Sequence, residues 1–121
     1  MPDPEPDPSE PDPAEPDPSG LSFVERVLAV VDDIPSGHVM TYGDVAATIG
    51  SRAARMVGQV MARYGDRVPW WRVIRSSGHP PIDHESAALG HYRDEGTPLL
   101  GLDSDAGYRV DLRQARWWPR G

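Results

Sequence analysis

Apolar positions mark out the elements. Phe23, Val27, Leu28, Val30, Val31 and Ile34 recur at mostly helical spacing, so residues 23–33 read as a helix with a wide apolar face. Ser22 and Glu25 stand at capping-box spacing before it, and Pro35, Ser36 and Gly37 end it. An extended piece, His38 to Met40, leads to Thr41 and Asp44, a second cap pattern, with a short helix from Tyr42 to Ile49 stopped by Gly50. Ser51 is placed to cap a third helix, Arg52 to about Tyr64. Ala54, Val57, Val60 and Met61 face inward there, and Arg52, Arg55, Gln59 and Arg63 take the other faces.

Beyond Gly65 the pattern changes. Val68 to Arg75 is apolar, aromatic and β-branched, which suits a strand or a buried extended segment. Ser76 to Gly78 read as a turn, and Pro80 and Pro81 keep the next stretch irregular. Ser86 to Glu95 reads as a last helix closed by Gly96, and Leu99–Leu102 with Tyr108–Leu112 as a terminal hairpin. The sum is a mainly α domain with short β strands. Two short helices around Gly50 and Ser51 resemble a helix-turn-helix, and a strand pair beside them makes a winged arrangement. By spacing alone, plain helix packing is the better explanation of the pair.

Composition divides the 121 residues in two. Residues 1–20 hold eight prolines, seven acids and no base, which predicts a disordered acidic tail ahead of a domain at 21–121. The segment lacks the basic start and apolar stretch of a signal peptide, and no run approaches a membrane span, so a soluble, cytoplasmic, nucleoid-associated protein without a membrane partner is expected. The net charge of −7 belongs to the tail, since the remaining 12 acids balance 12 arginines. Between Ser51 and His79 six arginines (Arg52, Arg55, Arg63, Arg67, Arg72, Arg75) face one acid, Asp66, the footprint of a phosphate-binding face or of a solvated surface. The chain has no cysteine, which removes disulfides, thiolate metal sites and cysteine nucleophiles. His38, His79, His84 and His91 lack metal-ligand spacing and read as ordinary surface or turn residues. No metal and no cofactor are expected.

Three segments in order, TYGDVA (41–46), RAARMVGQVM (52–61) and VPWWRVI (68–74), resemble the DNA-binding domain of the O6-alkylguanine-DNA alkyltransferases over roughly residues 22–102. Those enzymes carry PCHRV, whose cysteine accepts the alkyl group; here Trp70 stands at the cysteine and Trp71 at the neighbouring histidine. Alkyl transfer needs a thiolate and a partner that favours it, and both are missing. Tryptophan for cysteine is the mark of the alkyltransferase-like proteins, which bind O6-alkylguanine without transferring the group. They more often read PWHRV, so Trp71 is a further departure. ARWWP (115–119) also resembles the C-terminus of some of them.

The resemblance implies a monomer that docks a helix in the minor groove of double-stranded DNA, rotates an O6-alkylguanine out of the stack and marks it for nucleotide excision repair proteins. It assigns Thr41, Tyr42, Arg52, Arg55 and Gln59 to DNA, with Arg55 as the finger that fills the gap. It assigns Trp70, Trp71, Tyr42, Arg72, Ser77 and Gly78 to the lesion pocket. Trp71 either lines the pocket or packs inward, and Arg72 supports the pocket loop. Relatives place a base-stacking arginine near residues 79–93; here Arg93 and His84 are the alternatives. A winged-helix transcriptional regulator of the same ancestry is the competing reading.

Overall fold

The computed structural model describes residues 22–104 and 107–119. The acidic tail expected at 1–20 lies outside the described residues. The first helix, α1 (Phe23–Asp33), has the expected bounds: Ser22 Oγ accepts the Glu25 amide, and Phe23, Val27 and Val31 bury one stripe. Pro35 cannot continue the helix, and Gly37, at φ +82°, turns the chain.

Strand β1 (Met40–Thr41) runs directly into α2 (Tyr42–Thr48) through a reciprocal capping box. Asp44 N–H donates to Thr41 Oγ1 at 3.0 Å, and Thr41 N–H to Asp44 Oδ2 at 3.1 Å. Helix α3 (Ala54–Tyr64) starts two residues later than its pattern suggests. Ser51 Oγ accepts the Ala53 amide at 2.9 Å instead of capping the helix, so Arg52 precedes α3. Ala53 is buried beside Val57, Val60 and Met61, while Ala54 is only half-buried.

The run at 68–75 departs most from expectation. It is not one strand: a 3₁₀ turn at Gly65–Arg67 and a second at Trp70–Arg72 precede β2 (Val73–Ile74). Pro69 lacks an amide for a ladder, and the turn throws successive indoles to different sides. Strand β2 pairs parallel with β1, Met40 with Val73 and Thr41 with Ile74. A parallel pair needs a long crossover, and α2 and α3 supply it.

Helix α4 (Glu85–Glu95) ends at left-handed Gly96. Strands β3 (Leu99–Leu100) and β4 (Arg109–Val110) form the expected terminal hairpin, shorter than its pattern. The final element, α5 (Leu112–Ala115), is unanticipated; Asp111 accepts the Arg113 amide at its start. The chain then returns to β1: Trp117 N–H donates to the Val39 carbonyl at 2.9 Å, and Arg116 grips Asp44 through two nitrogens.

Two apolar clusters hold this mainly helical fold. Phe23, Val27, Val31, Met40, Val45, Val57 and Val73 join α1, α2 and α3. Val39, Ile74, Ala88, Tyr92, Val110 and Ala115 join α4 to the strands. Val73 and Ile74 of β2 serve different clusters, as do Met40 of β1 and Val39 just before it, so the short parallel pair sits between them and carries the 65–75 segment across.

Candidate nucleic-acid interface and base pocket

A shallow groove runs over the junction of α2 and α3. Thr41, Tyr42 and Gly43 line one side, Ala54, Arg55, Gly58, Gln59 and Ala62 the other, with Arg75, Ser76 and Ser77 at its end. Ala54, Gly58 and Ala62 are spaced four apart, which puts them on one face of α3. Apart from its own stretch of helix, nothing lies within 4 Å of where a Cβ on Gly58 would stand. The outer face of α3 is therefore low, with Arg55 and Gln59 exposed beside it, and a phosphate backbone could approach closely. The small-residue spacing was visible in the sequence but was masked there by the arginines between.

Next to the groove lies a deeper cavity of about 520 Å³, lined by Tyr42, Gly58, Met61, Ala62, Gly65, Asp66, Trp70, Arg75, Pro81, Ile82 and His84. Tyr42, Gly58, Ala62 and Arg75 line both, so the cavity opens into the groove. Burial raises the pKa of the Tyr42 phenol, although Arg75 opposes this, so the hydroxyl stays protonated at neutral pH and can donate to an anionic oxygen. Thr41 has its amide and hydroxyl oxygen engaged in the capping box.

The expected site residues separate into two groups. Trp70 stands on the cavity wall, Tyr42 is shared, and Thr41, Arg55, Gln59 and Ser77 line the groove. Arg52 is exposed but lines neither hollow. Trp71, Arg72 and Gly78 also lie outside both linings, and each has structural work. Gly78, at φ +91°, passes so close to β4 that a Cβ would stand 2.9 Å from the Val110 carbonyl oxygen. Ser77 Oγ lies 2.8 Å from His79 Nδ1.

Trp71 is the anchor of the cavity wall. Its ring stacks on His91 with centroids 3.6 Å apart and planes 4° from parallel. Its carbonyl accepts the Tyr92 hydroxyl at 2.6 Å, and its indole N–H donates to Glu95 Oε1 at 2.9 Å. Arg72 donates to the same carboxylate and, at 2.8 Å, to the Ile34 carbonyl. Glu95 also accepts the Gly37 amide at 3.1 Å. Helix α4 thus grips the residue after Trp70 at three points, His91, Tyr92 and Glu95, and braces the wall on which the Trp70 ring stands. Burial alone would raise the Glu95 carboxyl, but the Arg72, Gly37 and Trp71 donors outweigh it and hold its pKa below the usual range.

Two histidines read as ordinary surface residues are packed on this wall. His84 lies 5.4 Å from Trp70 between centroids and lines the cavity; His91 meets Trp70 edge-on at 5.8 Å. Both reach it from beyond the Pro80–Pro81 segment, a packing that residue spacing does not reveal. Arg93 is exposed on α4 and lines neither hollow. Arg75 was missed as well: it borders both hollows, and its Nε donates to the Pro80 carbonyl at 2.9 Å. The arginine-rich run had flagged it only as charge. Among the described residues no cluster of three or more histidines and carboxylates could hold a metal, and no helix is long and apolar enough to cross a membrane.

Comparison with known proteins shows the family and the fold. Residues 22–93 match the family model for the 6-O-methylguanine DNA methyltransferase DNA-binding domain. A DNA base-flipping protein of Escherichia coli is 39% identical over 104 residues, spanning 79% of this chain and 74% of that protein. Alkyltransferase-like protein 1 of Schizosaccharomyces pombe is 34% identical over 106 residues, spanning 80% of this chain and 95% of that protein. The crystal structure of S. pombe Atl1 with damaged DNA containing O6-carboxymethylguanine superposes with a TM-score of 0.69 at 33% identity, covering 80% of this chain and 95% of that one. With its matching domain, its tryptophan-walled cavity and its cysteine-free sequence, the chain belongs to the 6-O-methylguanine DNA methyltransferase DNA-binding-domain family, as an alkyltransferase-like member.

Proposed function

We propose that this protein is a non-enzymatic sensor of O6-alkylguanine in duplex DNA. Helices α2 and α3 act as a helix-turn-helix, with the β3–β4 hairpin as its wing, and dock in the minor groove. Arg55 enters the stack as the target base leaves, and its planar guanidinium offers hydrogen bonds to the unpaired cytosine. O6-alkylation removes the N1 proton of guanine and weakens its pairing, which lowers the cost of extrusion.

The observation that carries this reading is the position of Trp70 on a cavity that opens into the groove lined by Arg55 and Gln59. A base rotated out over Tyr42 enters that cavity. Its alkyl group meets an indole where a transferase would present a thiolate, so the lesion is held and left intact. The bound complex then marks the site for nucleotide excision repair; it should stimulate incision of an O6-alkylguanine duplex by the excision nuclease, and unchanged incision would remove that step.

The test of recognition is competition binding of a duplex carrying one O6-methylguanine against the same duplex unmodified, at equal ionic strength. Stronger binding of the modified duplex is expected, and equal affinity overturns the reading.

A further inference from the structure

Four large apolar side chains are strongly exposed among the described residues: Ile82, Leu100, Leu102 and Trp118. Only Ile82 lines the cavity, where it is 64% exposed. We propose that Ile82 sets the alkyl-length selectivity of the pocket, favouring linear O6-alkyl groups of three or four carbons over methyl. The proposal rests on the base-flipping reading above.

The loop that carries Ile82 is built rather than slack. Pro80 and Pro81 restrict the backbone before it, and Pro80 is buried. The Arg75 guanidinium holds the Pro80 carbonyl, and the Arg75 amide donates to the His79 carbonyl at 3.0 Å. On the far side His84 N–H donates to the Pro81 carbonyl at 3.1 Å, and Asp83 takes φ +69°, an uncommon conformation for a residue with a Cβ. These contacts hold the backbone on both sides of Ile82. His84, two residues on, approaches Trp70 at 5.4 Å, so the loop and the indole bound one space.

The chemistry of that space differs along its depth. Trp70 and Met61 are apolar, and Ile82 adds a further apolar surface that water now covers. Trp70 and Ile82 line one cavity of about 520 Å³, and a butyl chain carries three more methylenes than methyl with which to cover both and displace that water. Each methylene removed from water is worth about fourfold in affinity when fully covered, and only part of each is covered by any one side chain. The Ile82 contribution to the butyl-over-methyl ratio is therefore on the order of fivefold.

The experiment measures affinities of the full chain for duplexes carrying O6-butylguanine, O6-methylguanine or guanine, for the wild type, Ile82→Ala and Ile82→Leu. Because Ile82 is exposed, both variants should fold. The wild type is expected to favour butyl over methyl. Ile82→Ala should lower that ratio about fivefold, and Ile82→Leu should restore it. An unchanged ratio in Ile82→Ala, or equal losses for methyl and butyl, overturns the proposal while leaving base flipping intact. Failure of the wild type to distinguish either lesion from guanine overturns both.

Discussion

Replacing Glu95 with alanine should destabilise the domain by about 3 kcal/mol, although Glu95 touches neither the groove nor the cavity. Its carboxylate accepts from the Arg72 guanidinium, the Trp71 indole and the Gly37 amide, and its side chain is 11% exposed against 17% for Arg72. Each neutral donor left without a partner costs about 1 kcal/mol, and a charge-assisted bond about 1.5–3 kcal/mol. Breaking a fully buried pair costs about 3–5 kcal/mol; the residual exposure here, and the bond Arg72 keeps to Ile34, place the cost at the lower end. For a domain near 100 residues this lowers Tm by roughly 10–20 °C. Urea and thermal unfolding of wild type, Glu95→Ala and Glu95→Gln measure it, with the glutamine variant intermediate. A double cycle with Arg72→Met should show a coupling of about 1–2 kcal/mol. A loss below about 1 kcal/mol in Glu95→Ala would mean that water replaces the carboxylate at low cost and that α4 does not hold the Trp70 wall in place.

Four further outcomes are expected. Trp70→Ala should keep affinity for unmodified duplex within about twofold while lowering lesion preference roughly tenfold or more in competition binding, since one wall of the base site is lost. Arg55→Ala should weaken lesion binding while leaving the slope of log affinity against log salt nearly unchanged in a salt titration, because Arg55 fills the stack and pairs with no phosphate. Acid should destabilise the fold through Asp44 and Glu95. Burial opposes ionisation of each, but hydrogen bonds from Arg116 and Thr41 to Asp44, and from Arg72, Gly37 and Trp71 to Glu95, hold both pKa values low. Their contribution is complete above the unfolded values of about 3.9 and 4.3 and is lost as pH falls through the lower folded ones, so the urea midpoint should drop below pH 4 and drop less steeply in Glu95→Gln. Deleting residues 1–20, with seven acids and no base, should strengthen binding to undamaged DNA at low salt, and an unchanged affinity would make the segment a bystander.

Local rules carried the helices. The bounds of α1 follow from Ser22 and Pro35, and the entry to α2 from the reciprocal pair Thr41 and Asp44, because caps are interactions three residues apart. The mainly helical class with short strands was legible for the same reason. The 65–75 segment was not, because hydrophobic content there reports burial and not direction: Trp70 faces a cavity and Trp71 a histidine, so no period of two survives. Pairing of β1 with β2 spans 33 residues and only two positions, too little to leave a pattern.

The groove was more legible than the pocket. Arg55, Gln59 and Tyr42 belong to elements whose faces the periodicity defines, and the structure puts them on one surface. The pocket is completed by Arg75, Ile82 and His84 and braced by His91 and Glu95, residues that meet Trp70 and Trp71 only through tertiary packing of α4 and the proline loop. Of the two readings of Trp71, the inward packing is the one the structure places, on His91, and Arg72 braces the loop through Glu95 and Ile34, so neither lines the cavity.

The most direct measurement is a structure of the protein bound to a duplex with a single O6-alkylguanine. The damaged base should lie outside the helix in the cavity beside Tyr42, its alkyl group against Trp70 and still bonded to O6, with Arg55 in the vacated stack. A damaged base still stacked in the duplex, or a base stripped of its alkyl group, would contradict the account.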